Sequence, residues 1–161
     1  MSFIAGRYTA TYNSLSLGVT KEGFRLSHEI FKRLITGDYL AETPQDAVYR
    51  GAGVQIAYTL LEYNAPAAGL ALWPYGSNFL ELGVIGRLDV GSSLAKSLVL
   101  TALSGTPAAS TPATITFPLA ILAENFPVEL LFAPDLREVP IRQRIYPDVT
   151  TPGSEKFGTV T

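Results

Sequence analysis

The stretch Gly23–Tyr63, GFRLSHEIFKRLITGDYLAETPQDAVYRGAGVQIAYTLLEY, contains two β-strand patterns separated by a polar segment. Residues 54–60 alternate large apolar side chains with small or polar ones, which is the period-two pattern of a half-buried strand. Residues 24–35 begin with the same alternation, but their apolar side chains change parity near Ser27–Phe31. This change predicts a β-bulge that re-aims the strand, as happens where a sheet curls.

The polar segment between the two strand patterns, Thr36–Gly51, is too long for a hairpin turn. Within it, Thr43 has the character of a helix N-cap, Pro44 that of a first helical residue, and Asp46 lies where a positive helix end favours an acid. A loop of about 15 residues in a compact domain usually has a function. We therefore expect this loop to have a function and to be stiffened by a short helical turn.

The remainder of the chain repeats short strand patterns separated by turn signals. They occur in RYTATYN, KSLVLTAL, TITFP, PVELLF and VPIRQRIYP, with a further candidate strand at residues 83–90. Residues 64–74, NAPAAGLALWP, have the one ordinary helix pattern, which begins near Pro66 and is ended by Pro74. Seven or eight short strands predict a mainly β fold, a small β-barrel or sandwich with one short flanking helix and a long inter-strand loop.

The length of 161 residues predicts a single domain. We expect residues 1–148 to form it, and residues 149–161 to form a flexible C-terminal tail. The segment Ser104–Thr114, SGTPAASTPAT, has no core-forming residue and predicts an exposed loop. Hydrophobic residues make up 47% of the chain and charged residues only 16%, so we expect additional surface to be buried in an assembly.

The composition also argues against several classes of protein. The absence of cysteine excludes disulfides, thiolate metal sites and cysteine nucleophiles. A net charge of −2 supplies no basic excess for binding nucleic acid phosphates tightly. The first residues contain neither a signal-peptide pattern nor an apolar run of spanning length, so we expect a soluble protein with no cleaved signal peptide and no membrane-spanning segment.

Two motifs carry weak catalytic signals. Ser93-Leu-Ala-Lys96 matches the S-x-x-K pattern, in which a lysine one helical turn away activates a serine, but the companion S-D-N and K-T-G motifs are absent. His28 is the single histidine, and no G-x-S-x-G motif supplies a serine for it. Its parity places it on the face of Phe24 and Leu26, so we interpret it as a packed or interface residue.

Charged groups in the chain do not predict a metal or phosphate site. Asp38, Glu42 and Asp46 have a spacing that would place them on one face of a continuous helix and could hold a hard cation, but Pro44 interrupts that helix. We interpret these acids as solvated, and the arginines near residues 137–144 as partners of neighbouring acids. The sequence predicts no catalytic residue, no metal and no cofactor.

The order of these features is similar to that of a known family. Residues 8–63 resemble the N-terminal half of the tail tube proteins of long-tailed bacteriophages: a strand, an L-G-x-T turn, a Gly-led strand, a loop ending near TP-D-V--G, and a strand ending in Leu-Glu. The stretches LVLTAL, TITFP and VPIRQRIYPD resemble later strands of the same family. The resemblance covers most of residues 7–148.

The resemblance implies a virion structural protein whose hexameric rings stack into a hollow tube, through which viral DNA passes without tight binding. Its partners would be other copies of the chain and other tail or neck proteins. It would be assembled in the cytoplasm of the host bacterium and located in the virion tail. In that family the long loop between the early strands reaches the neighbouring ring, and the matching contact residues here are Asp38, Tyr39, Thr43, Pro44, Asp46 and Arg50.

Three other interpretations remain open. A capsid cement protein or a head–tail joining protein would share the β-rich, assembly-prone composition. A small serine hydrolase would use Ser93 and Lys96. A carbohydrate-binding β-sandwich would use Trp73 and exposed tyrosines.

Overall fold

The computed structural model describes residues 7–62, 65–75, 91–103, 113–129 and 138–161. Most of these residues belong to β-strands, joined by two short α-helices and one 3₁₀-helical turn. The elements in chain order are β1 (Tyr8–Tyr12), β2 (Leu15–Ser16), β3 (Thr20–Ile35), the 3₁₀ turn (Asp38–Leu40), β4 (Asp46–Leu60), α1 (Ala65–Leu72), α2 (Gly91–Leu94), β5 (Lys96–Ala102), β6 (Thr114–Leu122), β7 (Val139–Tyr146) and β8 (Thr159–Val160).

The eight strands form one antiparallel sheet in the order β2-β1-β5-β6-β7-β4-β3, and β8 pairs with β6. The predicted mainly β fold with a short flanking helix is therefore confirmed. The sheet is not closed into a barrel, because β3 hydrogen-bonds only to β4 and its outer edge has no strand partner in the described ranges. Of the two predicted architectures, barrel or sandwich, a closed barrel does not form, and an open edge remains on β3.

The core lies on one face of the sheet, under α1. The helix consists mainly of alanine and leucine, which favour helix and leave room for close packing; Pro66 lies in its first turn and Pro74 follows its end, as the sequence predicted. Ala67, Ala68 and Ala71 are fully buried against the sheet. The remaining core comes from the inward-facing alternate residues of the strands, chiefly Ala10, Tyr12, Ile56, Tyr58, Leu60, Leu98, Leu100, Phe117, Ala120, Ile141 and Ile145.

Two tyrosines are embedded in this core. Tyr12 is fully buried, and its hydroxyl donates a hydrogen bond to the carbonyl oxygen of Ala120 at 2.8 Å. Burial raises the pKa of the Tyr12 phenol and that of the Tyr58 phenol above their ordinary range. Both side chains therefore act as neutral packing groups that join β1 and β4 to the rest of the core.

The C-terminal segment lies on the sheet. β8 pairs with Ile115 and Thr116 of β6. It occupies the same edge of β6 as β7, and that edge is available there because β7 pairs with β6 only from residue 119 onward. Phe157 packs against the core cluster, and a Cβ added at Gly158 would lie 2.4 Å from the carbonyl oxygen of Thr116, so only glycine fits there. Residues 149–161, which we expected to extend from the domain as a flexible tail, thus contribute an edge strand.

Some sequence predictions fall outside the described residues. These are the candidate strand at 83–90, most of the Ser104–Thr114 loop, Arg137, and the second half of the PVELLF pattern. The described part of that last pattern, residues 127–129, is not a strand. Among the described helices, none is long and apolar enough to cross a membrane.

Candidate assembly interface

The hairpin formed by β3 and β4 extends well beyond the rest of the sheet. β7 pairs with β4 only from Val54 to Leu60, whereas β3 and β4 pair with each other as far as Ile35 and Asp46. Residues 29–53, called the arm from here on, therefore have no third strand beside them in the described structure. The arm is a two-stranded ribbon with a turn at its end.

Large apolar side chains occur on both faces of the arm. One face is formed by the cross-strand pairs Ile30–Ala52, Lys32–Tyr49 and Leu34–Ala47, and the other by Phe31–Gly51, Arg33–Val48 and Ile35–Asp46. Every large apolar side chain of the arm is substantially exposed, from 44% for Ile35 to 92% for Tyr39. Monomeric proteins rarely leave a continuous apolar surface of this kind in water. The arm has the character of a protein–protein contact.

A β-bulge marks the inner part of the arm. Phe31 pairs with Gly51 and Lys32 pairs with Tyr49, so Arg50 is an extra residue on β4. Gly51 has a φ of +134°, a conformation that residues with a side chain rarely adopt. The bulge predicted within Ser27–Phe31 of β3 was wrong, because β3 pairs with β4 without a shift from Phe24 to Phe31 and the extra residue belongs to β4. The apolar residues of β3 change parity because both faces of the arm are apolar.

The arm tip differs from the predicted helical turn. The 3₁₀ turn covers Asp38–Leu40, and the Thr43 amide donates to the carbonyl oxygen of Leu40 at 3.0 Å instead of capping a helix. The Gln45 amide then donates to the carbonyl oxygen of Ile35 at 2.8 Å, which closes the hairpin. The helix start predicted at Thr43 was wrong, because strand pairing begins again at Asp46 and leaves residues 36–45 as a tight connection.

The six predicted contact residues separate into two groups. Asp38, Tyr39, Thr43, Pro44 and Asp46 lie together at the tip, and all are exposed. Arg50 lies apart from them at the bulge, where it lines a depression of about 540 Å³ with Ile30, Phe31 and Lys32.

The tip is acidic as well as apolar. Asp38, Glu42 and Asp46 fall within residues 36–49, which contain no lysine or arginine. They do not share a helix face, because no helix forms there. No group of three histidine, cysteine, aspartate or glutamate side chains placed to hold a metal ion occurs among the described residues.

A second apolar feature lies at the other end of β3. Between the start of β1 and the start of β3, an open groove of about 770 Å³ is bounded by Tyr8, Phe24, Leu26, Ile115 and Phe117, and the charged residues Arg7 and Glu22 also line it. We call it the seam groove. It exists because the two strands approach each other without pairing, so the curled sheet stays open along this line.

The other candidates from the sequence have ordinary positions. α2 ends at Leu94 and Lys96 begins β5, so Ser93 and Lys96 do not have the helical spacing that the S-x-x-K pattern requires. Trp73 is partly buried against the core instead of displayed on the surface. His28 lies on the predicted face, opposite Val54, but is exposed instead of packed within the chain.

Arg144 forms an ion pair, but its partner is Glu124 and not one of the neighbouring acids that the sequence predicted. Its Nε donates to the carboxylate of Glu124 at 3.3 Å, and its Nη2 contacts the other carboxylate oxygen. This hydrogen bonding lowers the pKa of Glu124 and raises that of Arg144. Arg142 lies with its guanidinium 5.2 Å from the centre of the Phe126 ring, a cation–π distance. Both arginines are on the outer face of β7, away from the core.

Sequence reasoning missed the apolar residues of the arm strands. Leu34, Val48 and Tyr49 were not among the predicted contacts, although they are 59%, 52% and 62% exposed. The sequence did contain a signal for them. Ile30 and Phe31 are consecutive apolar residues, as are Leu34 and Ile35, and consecutive residues of a strand lie on opposite faces. A strand that is apolar on both faces must be covered on both faces, by its own chain or by another.

Comparison with known proteins gave no family assignment. No protein-family model matches the chain. No curated protein matches it by sequence.

Proposed function

We propose that this protein is a self-assembling structural subunit, and that it forms the tail tube of a long-tailed bacteriophage as stacked rings. The observation that supports this proposal best is the arm. It is apolar on both faces, exposed along its length, and held out from the sheet by continuous strand pairing. An isolated molecule leaves this surface in water, whereas assembly covers it.

The arm suits a contact between unlike surfaces. On this proposal it projects from one side of the fold and joins a different patch on the next copy. Contacts of this kind generate closed rings or open-ended stacks. The open edge of β3 supports the same conclusion, because an unpaired strand is a site at which another chain adds.

The low charge of the chain is compatible with a channel for DNA. With a net charge of −2, the subunit has no overall excess of lysine and arginine to retain a polyanion. On this proposal DNA passes along the tube without tight binding, and the partners of the subunit are other copies of itself and other tail proteins.

The proposal is tested by shortening the arm. Replacing residues 36–45 by Asn-Gly keeps the Ile35–Asp46 pair and closes the hairpin with a two-residue turn that suits antiparallel strands. We expect the wild-type protein to form rings or tubes in negative-stain electron microscopy, and the shortened variant to remain folded by circular dichroism without forming tubes.

The native mass and the images separate the alternatives. A wild-type protein that remains monomeric at high concentration would contradict self-assembly. Closed trimers without stacking would favour the capsid cement interpretation over a tail tube. Tubes of normal length from the shortened variant would show that the arm tip does not join the rings.

A further inference from the structure

Tyr39 at the arm tip is placed where it can contact a partner molecule. It is 92% exposed, more than any other large apolar side chain in the described structure. It lies in the 3₁₀ turn, and the residue that follows this turn, Ala41, has a φ of +53°, which residues other than glycine seldom adopt. A rigid tyrosine held outward by a strained turn is the type of side chain that dominates protein–protein interfaces.

The tip cannot contact the seam groove of its own molecule. β3 is continuous from the groove, which it lines as far as Leu26, to Ile35 at the base of the tip. At about 3.3 Å per residue this separates the two features by about 30 Å along a paired strand. A contact between the tip and the groove therefore joins two copies of the chain.

The seam groove has the size and lining to receive the tip. Its volume of about 770 Å³ is in the range of about 300–1,000 Å³ that encloses a ligand of several side chains. Tyr8, Phe24 and Phe117 supply aromatic walls against which a tyrosine ring packs. Two exposed charged residues line the groove. Arg7 is opposite in charge to the acidic tip, whereas Glu22 has the same charge as the tip, so a complementary ion pair requires Asp38 to lie on the Arg7 side.

We infer that the seam groove of one copy is the receptor for the arm tip of the next, with Tyr39 among the groove aromatics and Asp38 paired with Arg7. This inference rests on the proposed self-assembly and names the surface that self-assembly uses. The donor copy keeps its own groove open for a third copy. The same contact thus repeats, and it produces a stack of indefinite length.

A charge exchange in the full-length protein tests the pairing. Arg7→Glu and Asp38→Arg each place like charges in contact, and we expect each to raise the critical concentration for assembly at least about tenfold. The double variant restores opposite charges in reversed order, and we expect its critical concentration to return to within about threefold of the wild type. Light scattering against protein concentration measures this value, and electron microscopy measures tube length.

The groove itself is tested with a matched pair of substitutions. Leu26 lines the groove and is 51% exposed, whereas Val149 is 65% exposed and does not line it. We expect Leu26→Glu to abolish assembly and Val149→Glu to leave it unchanged, with both variants folded by circular dichroism.

The results distinguish failure of the inference from failure of the proposed function. A wild-type protein that does not assemble contradicts both. A wild-type protein that assembles, with Leu26→Glu and the single charge variants assembling equally well, contradicts only the receptor assignment.

Discussion

The two halves of the β3–β4 hairpin have the same backbone pairing and opposite environments. In the inner half, Ile56 and Leu60 are fully buried, because β7 lies beside β4 and the core covers that face. In the arm, Ile30 and Leu34 lie on the continuation of the same face and are 50% and 59% exposed. The comparison teaches that an apolar strand residue stabilises this molecule only where a neighbouring element covers it, and that the arm residues serve a partner.

Shortening one isoleucine side chain in each half should give the largest difference in the free energy of unfolding. We expect Ile56→Ala to lower the free energy of unfolding by about 2–5 kcal/mol, because it removes a buried side chain and leaves a cavity. Ile30→Ala, the matched change in the arm, should alter the free energy by less than about 0.5 kcal/mol. Urea denaturation of the unassembled protein measures both values, and equal losses would contradict the comparison.

The bulge within the arm should show a smaller effect. Nothing lies within 4 Å of a Cβ placed on Gly51, so Gly51→Ala changes only the backbone strain at a φ of +134°. We expect it to lower the free energy of unfolding by about 1–3 kcal/mol.

The neighbouring glycine is a control for that prediction. At Gly53 the φ is not in the strained region, and an added Cβ would meet the end of the Arg144 side chain at 3.1 Å, which is able to move aside. Gly53→Ala should therefore cost less than Gly51→Ala. The reverse order would indicate that contacts, and not backbone strain, select glycine in this part of β4.

The smallest expected effect concerns the ion pair on the outer face of β7. Arg144 lowers the pKa of Glu124 in the folded protein below its ordinary value of 4.5. The stabilisation is therefore complete above that ordinary value, and it is lost as the pH falls through the lowered folded value. Because the Glu124 side chain is 54% exposed, we expect less than about 1 kcal/mol.

Denaturation curves at pH 7 and pH 3 measure this contribution. Glu124→Gln should be less stable than the wild type at pH 7, and the difference should be smaller at pH 3. A difference of the same size at both pH values would show that the side chain stabilises the sheet by packing and not by its charge.

Much of the fold could be predicted from local patterns. The alternation in residues 54–60 predicted the inner part of β4, and the prolines at 66 and 74 predicted α1, because both signals depend on neighbouring residues alone. The parity change in β3 was wrongly interpreted as a bulge in that strand, because the observed bulge places its extra residue on β4. The helix start at Thr43 failed because its capping pattern was weaker than the strand pairing on either side.

The candidate interface was predicted only in part. Five of the six expected contact residues lie at the arm tip, while Arg50 belongs to the bulge. The seam groove was not predicted, because it brings together residues of β1, β3 and β6 that are distant in sequence. A local sequence pattern does not indicate whether two strands that are distant in sequence pair or remain apart.

The sequence by itself determined the inner part of β4, the short helix and the apolar character of the arm, because side-chain periodicity and proline positions act within a few residues. Tertiary structure decided that the sheet remains open, that the C-terminal residues become an edge strand, and that the arm projects uncovered. These outcomes depend on which strands hydrogen-bond to each other across long separations. That choice is made by the packing of the whole core and not by any single segment.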